Sequence, residues 1–201
     1  MKKLLLLFGF IFCFFNHLEA QKTTKIDIEN ADFSDINQDE LPDAVLLRGN
    51  VRVRHEGVVM TCNKAYFFQK ENYIKAFGEV QMVQGDTLFL NSKYAEYNGE
   101  VKQAFATGNV VMRSPESTLT SDTINFDRNT QEAFYNSYGT ITSKDNVLKS
   151  KSGRYYANQK KFRFLTAVTI TNPKYVIKSN HLDYYTNSGH SYLFGPSTIT
   201  S

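Results

Sequence analysis

Apolar and polar residues alternate along most of this chain in short runs, and the runs recur. The pattern is clearest from Gly108 to Phe126, GNVVMRSPESTLTSDTINF. A first run, Asn109 to Arg113, carries Val110 and Met112 on one face. Ser114-Pro115-Glu116-Ser117 turns the chain, and a second run carries Leu119, Ser121, Ile124 and Phe126. A third run, Gln131 to Tyr135, leads to the next glycine at Gly139. Alternation of period two, bounded by polar and breaker-rich clusters such as His55-Glu56-Gly57, Gln84-Gly85-Asp86, Asp127-Arg128-Asn129 and Asn172-Pro173, predicts strands. The turn residues supply positive φ or local side-chain hydrogen bonds.

The unit repeats in register. Its second-run apolar position falls at Met60, Leu90, Leu119, Leu148 and Ile177, with spacings of 30, 29, 29 and 29 residues. Two residues on stand Cys62, Ser92, Ser121, Ser150 and Ser179. Next come Ala65, Ala95, Ile124, Gly153 and Leu182, then an aromatic ladder of Phe67, Tyr97, Phe126, Tyr155 and Tyr184. The openings read Gly49-Asn50-Val51, Gly78-Glu79-Val80, Gly108-Asn109-Val110 and Gly139-Thr140-Ile141. A fifth, Val168-Thr169-Ile170, lacks the glycine, and a sixth begins at Gly195. Within the second run the alternation slips by one residue between Ser121 and Ile124, which predicts a bulge or corner. The glycines read as structural punctuation, where a strand turns tightly or backbones pass closely.

A single unit cannot bury its apolar face, so copies must stack around a continuous interior. The expectation is an all-β chain of stacked antiparallel sheets, three strands per unit, with five to six repeats of about 29 residues. Val51, Val53, Met60, Val80, Met82, Leu90, Val110 and Met112 are expected to line the interior. So are Leu119, Ile124, Phe126, Ile141, Leu148, Ile170, Ile177 and Leu182. That set fits two readings equally, a closed core or a long apolar groove between splayed sheets.

The N-terminus adds a compartment. Met1-Lys2-Lys3, an apolar run from Leu4 to Phe15 and Asn16 to Ala20 read as an export signal cut after Ala20. The apolar run of 12 residues is shorter than the ~20 that span a bilayer. An uncleaved tether is the alternative. The chain divides into a signal at 1–20, an N-terminal strand and acidic loop at 21–45, and the repeat domain at 46–201. It ends inside the sixth unit. Either the sequence is part of a longer protein, or its last edge is meant to pair with a partner.

Charge and chemistry change the picture little. Removing residues 1–20 lowers the basic residues from 23 to 21 and the acidic from 20 to 19. No basic run stands out, so nucleic acid is not an expected partner. Cys62 alone remains after cleavage, which excludes an internal disulfide and a cysteine metal site. It reads as a small near-buried residue at the serine position. His55, His181 and His190 share no ligand spacing, and Asp86, Asp122, Asp127 and Asp183 fall at different repeat positions. There is no nucleophile elbow and no phosphate-binding glycine loop. Neither an enzyme nor a cofactor is expected.

The repeats LLRGNVRV…MTCNKAYFF, AFGEVQM…LFLNSKYAEY and AFATGNVVM…LTSDTINF, under an export signal, resemble the OstA/LptA family of lipopolysaccharide-transport proteins. The resemblance covers roughly residues 25–201. It implies a β-jelly-roll of V-shaped stacked sheets, the β-taco, whose interior holds the acyl chains of lipid A. It also implies a periplasmic location and end-to-end joining through edge strands, to LptC-like and LptD-like proteins or to further copies of itself. Two other classes compete with it. One is a structural or adhesive β-solenoid with a closed core and no lipid. The other is a polysaccharide-acting β-helix enzyme, which would need charged residues clustered on one outer face.

Overall fold

The computed structural model describes residues 24–36, 41–86, 88–115 and 117–201. The expected export signal lies outside the described residues. The strands, in chain order, begin with β1 (Asp27–Asn30), β2 (Phe33–Asp35), β3 (Ala44–His55), β4 (Val58–Phe68) and β5 (Tyr73–Gln84). Then come β6 (Leu88–Asn98), β7 (Gln103–Arg113), β8 (Thr118–Asp127), β9 (Glu132–Tyr135) and β10 (Gly139–Ser143). The chain continues with β11 (Asn146–Ser150), β12 (Ser152–Tyr156), β13 (Lys161–Asn172), β14 (Tyr175–Tyr185) and β15 (Ser191–Thr200). All belong to one antiparallel sheet.

From β3 to β8 each strand pairs with the next. Every long strand bends at its middle, and the Gly-X pairs make the bend. Arg48 pairs with Lys64 and Val51 with Cys62, so Gly49 and Asn50 stand opposite Asn63 alone. Both residues of the pair are left-handed, with φ of +71° at Gly49 and +45° at Asn50. The same geometry recurs at Gly78-Glu79 and Gly108-Asn109. An inserted left-handed residue kinks a strand without ending it, and glycine adopts that conformation freely. This corrects the expected three strands per unit. The third run of one unit and the first run of the next form a single bent strand, so a unit is a hairpin of two long strands.

The bend also corrects the frame of two copies. In β13 the left-handed pair is Thr166-Ala167, not residues at Val168. Val168 pairs with Ser179 as Val110 pairs with Ser121, and it therefore matches Val51 rather than Gly49. Gly139 likewise pairs with Ser121 and matches Val110; it is not a corner glycine. The chain breaks into separate strands here. β9 and β12 continue one side of the corner between β8 and β13, and β10 and β11 continue the other.

The recurring small polar position has a physical role. A bend leaves a carbonyl without its ladder partner, and buried carbonyls need one. Ser92 Oγ donates to the Tyr94 carbonyl at 3.0 Å, Ser150 to Ser152 at 3.0 Å, and Ser179 to His181 at 2.9 Å. Cys62 Sγ makes the same contact with the Lys64 carbonyl at 3.2 Å. Ser121 donates to Tyr138, 2.7 Å away.

Candidate functional site

Residues on the two sides of the corners face each other, so the bent sheet closes around an apolar interior. Every residue expected to line it points inward. Val51, Val53, Met60, Val80, Leu90, Val110, Met112, Leu119, Ile124, Ile141, Leu148, Ile170 and Leu182 are buried. Met82, Phe126 and Ile177 are partly buried against them. The third-run residues, whose face the sequence pattern did not assign, supply the opposing wall: Leu47, Ile74, Ala76, Ala106, Ala133, Tyr135, Phe162 and Phe164 are all buried.

The interior is not filled evenly. Between β4 and β8 lies an apolar cavity of about 40 Å³. Met82, Leu90 and Met112 line it from one side of the corner, and Tyr97, Ala104, Ala106, Ile124 and Phe126 from the other. Val58, Val83, Gln84, Leu88 and Arg128 complete the wall. It therefore gathers five of the expected interior residues, Met82, Leu90, Met112, Ile124 and Phe126, while the others pack in the closed core around it. Small residues leave the room: Ala104 and Ala106 line the cavity, and Ala95 and Ala76 are buried beside Ala106 on the preceding strands.

Further along the sheet the same level is plugged. Tyr135 on β9 sits where β7 has Ala106, as the pairings of both strands with β8 show. Its ring needs space, and two neighbours have surrendered their side chains to give it. A Cβ on Gly153 would stand 2.6 Å from the Tyr135 ring and hydroxyl, and one on Gly139 would collide with the same ring. The phenol shares a 2.7 Å hydrogen bond with Ser150 Oγ. Burial pushes its pKa above the ordinary range, against the opposing effect of that hydrogen bond.

A polar cluster fastens the two sides of the corner together beside the cavity. The β3–β4 turn brings His55 and Glu56, β6 brings Tyr97, and the segment after β8 brings Arg128. His55 Nδ1 is hydrogen-bonded to the Tyr97 hydroxyl at 2.6 Å, and its Nε2 meets the Thr24 hydroxyl and carbonyl, each at 2.9 Å. Arg128 donates to the Tyr97 hydroxyl at 3.1 Å and to the Glu56 carbonyl at 3.2 Å. Lys102 Nζ lies 2.9 Å from the Glu56 carboxylate, and Arg128 lies 3.5 Å from it. The Lys102 hydrogen bond holds the Glu56 pKa below the usual carboxylate value. Burial raises that of Tyr97, against the lowering effect of Arg128. Tyr97 stood in the aromatic ladder of the sequence, but Arg128 was read only as part of a polar turn. Nothing in local alternation signals that a turn residue folds back over the interior.

The sheet's two ends differ. At the first, β1 and β2 cover the two halves of β3, and the preceding segment closes the end of the interior. Ile26 is buried, and its amide donates to Asn72 Oδ1 at 2.7 Å. At the other end β15 pairs with β14 alone among the described residues, and exposes Tyr192, Phe194 and Ile199.

His181 and Asp183, weighed separately in the sequence, lie together with Arg163. On the face opposite Leu182, Asp183 accepts two hydrogen bonds from Arg163, at 2.9 and 2.8 Å, and lies 3.2 Å from His181. The Arg163 guanidinium holds the Asp183 pKa below its ordinary value. Among the described residues no group of three or more His, Cys, Asp or Glu side chains could hold a metal ion. None of the described helices is long and apolar enough to cross a membrane.

Comparison with known proteins agrees with this architecture. The family model described as OstA-like protein matches residues 23–180. Among solved structures, the chain is similar to LptH, the LptA-homologous periplasmic component of the lipopolysaccharide transport device from Pseudomonas aeruginosa. That likeness has a TM-score of 0.51 at 13% identity, covering 57% of this chain and 94% of LptH. At such identity it speaks for the fold, a β-jelly-roll. No curated protein matches by sequence. With most of its length under the family model, the chain belongs to the OstA-like protein family.

Proposed function

We propose that this chain is a lipopolysaccharide-transport protein of the periplasm, and that its interior takes the acyl chains of lipid A. One observation carries the reading: an OstA-like repeat sheet whose inward residues are apolar along its length, with an unfilled apolar cavity between β4 and β8. Burial of hydrocarbon against such a wall stabilises a complex by about 25 cal/mol per Å². Of the inward residues from Val51 to Leu182 named above, the cavity set makes the contacts, and those beyond Tyr135 pack the closed part of the interior. Residues 1–20 serve as the export signal, β1 and β2 cover the first edge, and 46–201 form the carrier domain. The open flank of β15 offers backbone donors and acceptors to another strand. LptC-like and LptD-like proteins, or a second copy of this chain, dock there or at the first edge to make an end-to-end bridge.

Most of the interior is packed, so entry of the several acyl chains of lipid A requires the two sides of the sheet to part at the cluster of Glu56, Tyr97 and Arg128. The small cavity also supports a second reading, an exported structural protein whose core stays closed. Site-specific photocrosslinking in cells separates the two. A photoreactive residue at Leu119 crosslinks to lipopolysaccharide, while one at the neighbouring Thr120, on the other face, does not. Crosslinks from Leu119 only to the same chain favour the closed core.

A further inference from the structure

We propose that Arg128 and the cavity beside it form an acceptor for a single-chain anionic amphiphile, with a carboxylate or phosphate on the guanidinium and the hydrocarbon tail in the cavity. The inference deepens the reading of the interior as a lipid site and rests on it.

Arg128 is the charged residue in an otherwise largely apolar lining. Its terminal nitrogens are engaged by Tyr97 and Glu56, but its buried Nε–H has no partner among the described residues. A buried guanidinium donor left unpaired is costly, and an acceptor arriving there removes that cost. Among the described residues, Lys102 and Arg128 both pair with the one carboxylate of Glu56. The nearby carboxylates are engaged elsewhere. Glu100 is paired with Lys25, and Asp127 accepts from the Asn129 and Thr130 amides and from Gln103. An anion at Arg128 therefore gains a charge-assisted hydrogen bond at a largely buried guanidinium.

The tail's path follows from the lining. At about 40 Å³ the cavity is smaller than the roughly 150 Å³ apolar cavity that admits benzene, so the wall must yield. Met82 and Met112 lie on it, and methionine, with three rotatable bonds, repacks more readily than a branched residue. The site thus accepts one chain by methionine movement, without parting the whole sheet.

The test uses the exported protein labelled with ¹³C at its methionine methyls. Decanoate, decyl phosphate, decanol and decyltrimethylammonium are titrated separately, with inorganic phosphate and lipopolysaccharide as further arms. Decanoate and decyl phosphate are expected to shift Met82 and Met112 while sparing Met60, which lies outside the cavity. They should bind about tenfold or more tightly than decanol, as expected for a hydrogen bond to a charged group. Arg128→Gln should abolish that preference. If Arg128→Gln does not fold, the preference of the native chain for anionic over neutral and cationic head groups still decides the matter. Equal affinities for decanoate and decanol, or a response to inorganic phosphate equal to that for decyl phosphate, would overturn the proposal. Methionine shifts with lipopolysaccharide but none with decanoate sink this proposal alone. Silence from every hydrocarbon probe sinks the lipid reading with it.

Discussion

Ala106 and Tyr135 hold equivalent places in one sheet, yet one borders a cavity and the other fills the space. Around Ala106 the opposing residue is Ile124, and room is left between the two sides of the corner. Around Tyr135 the opposing residue is Gly153, with Gly139 close by, and the ring occupies what three side chains would otherwise share. The difference teaches that the repeat fixes the backbone path while side-chain volume decides where the interior is left unfilled. Cores tolerate exchanges of large for small when total volume is kept. Here the exchange converts half of a continuous interior into a plug.

The strongest way to break this contrast is Tyr135→Ala. It removes a fully buried ring and its hydrogen bond to Ser150, and should cost about 3–5 kcal/mol in urea unfolding. The reciprocal change, Gly153→Ala, places a methyl 2.6 Å from the same ring and should cost about 1–3 kcal/mol. Combined with Tyr135→Leu, the penalty of Gly153→Ala should largely vanish in a double-mutant cycle, because the ring it strikes is gone. Additive penalties would mean that the glycine serves the backbone and not the tyrosine.

Acid sharpens the contrast between the two halves through Asp183, buried against Arg163 beyond the plug. Its folded pKa lies below the unfolded value, so its contribution is full above the ordinary Asp range and is lost as pH falls through the folded pKa. Asp183→Asn should lower stability near neutrality and flatten the loss between the ordinary Asp range and lower pH. Smallest is the effect at the corner lacking glycine. Thr166, at φ +64°, holds a conformation that costs a branched residue about 1–2 kcal/mol. Thr166→Gly should recover up to about 1 kcal/mol, less than the strain itself because glycine loses more entropy on folding. Gly108→Ala, at φ +84°, should move stability the other way.

These sites also mark where sequence pattern carried the structure and where it did not. The corner was visible in the slip between Ser121 and Ile124, and the inward face of every second run was correct. The union of third and first runs was hidden, because glycine between two alternating stretches looks like an ending. Only paired left-handed residues make it a bend. The frame at Val168 was misplaced for the same reason: without glycine, Thr166-Ala167 carries no local signature of the corner. Gly139 was misread because a glycine that makes room for a distant ring looks like one that turns the chain. Arg128 escaped altogether, since its place over the cavity follows from long-range closure between the segment after β8 and the β3–β4 turn.

The proposed function puts hydrocarbon in the part of the interior that holds the cavity and stops it at Tyr135. Lipopolysaccharide bearing a nitroxide on an acyl chain, added to methyl-labelled protein, tests this through paramagnetic broadening. The predicted result is strong broadening at Leu90, Met112 and Ile124, with Ile170 and Leu182 beyond the plug spared. Broadening confined to exposed residues such as Ile28 and Val101, with the interior methyls untouched, would contradict it.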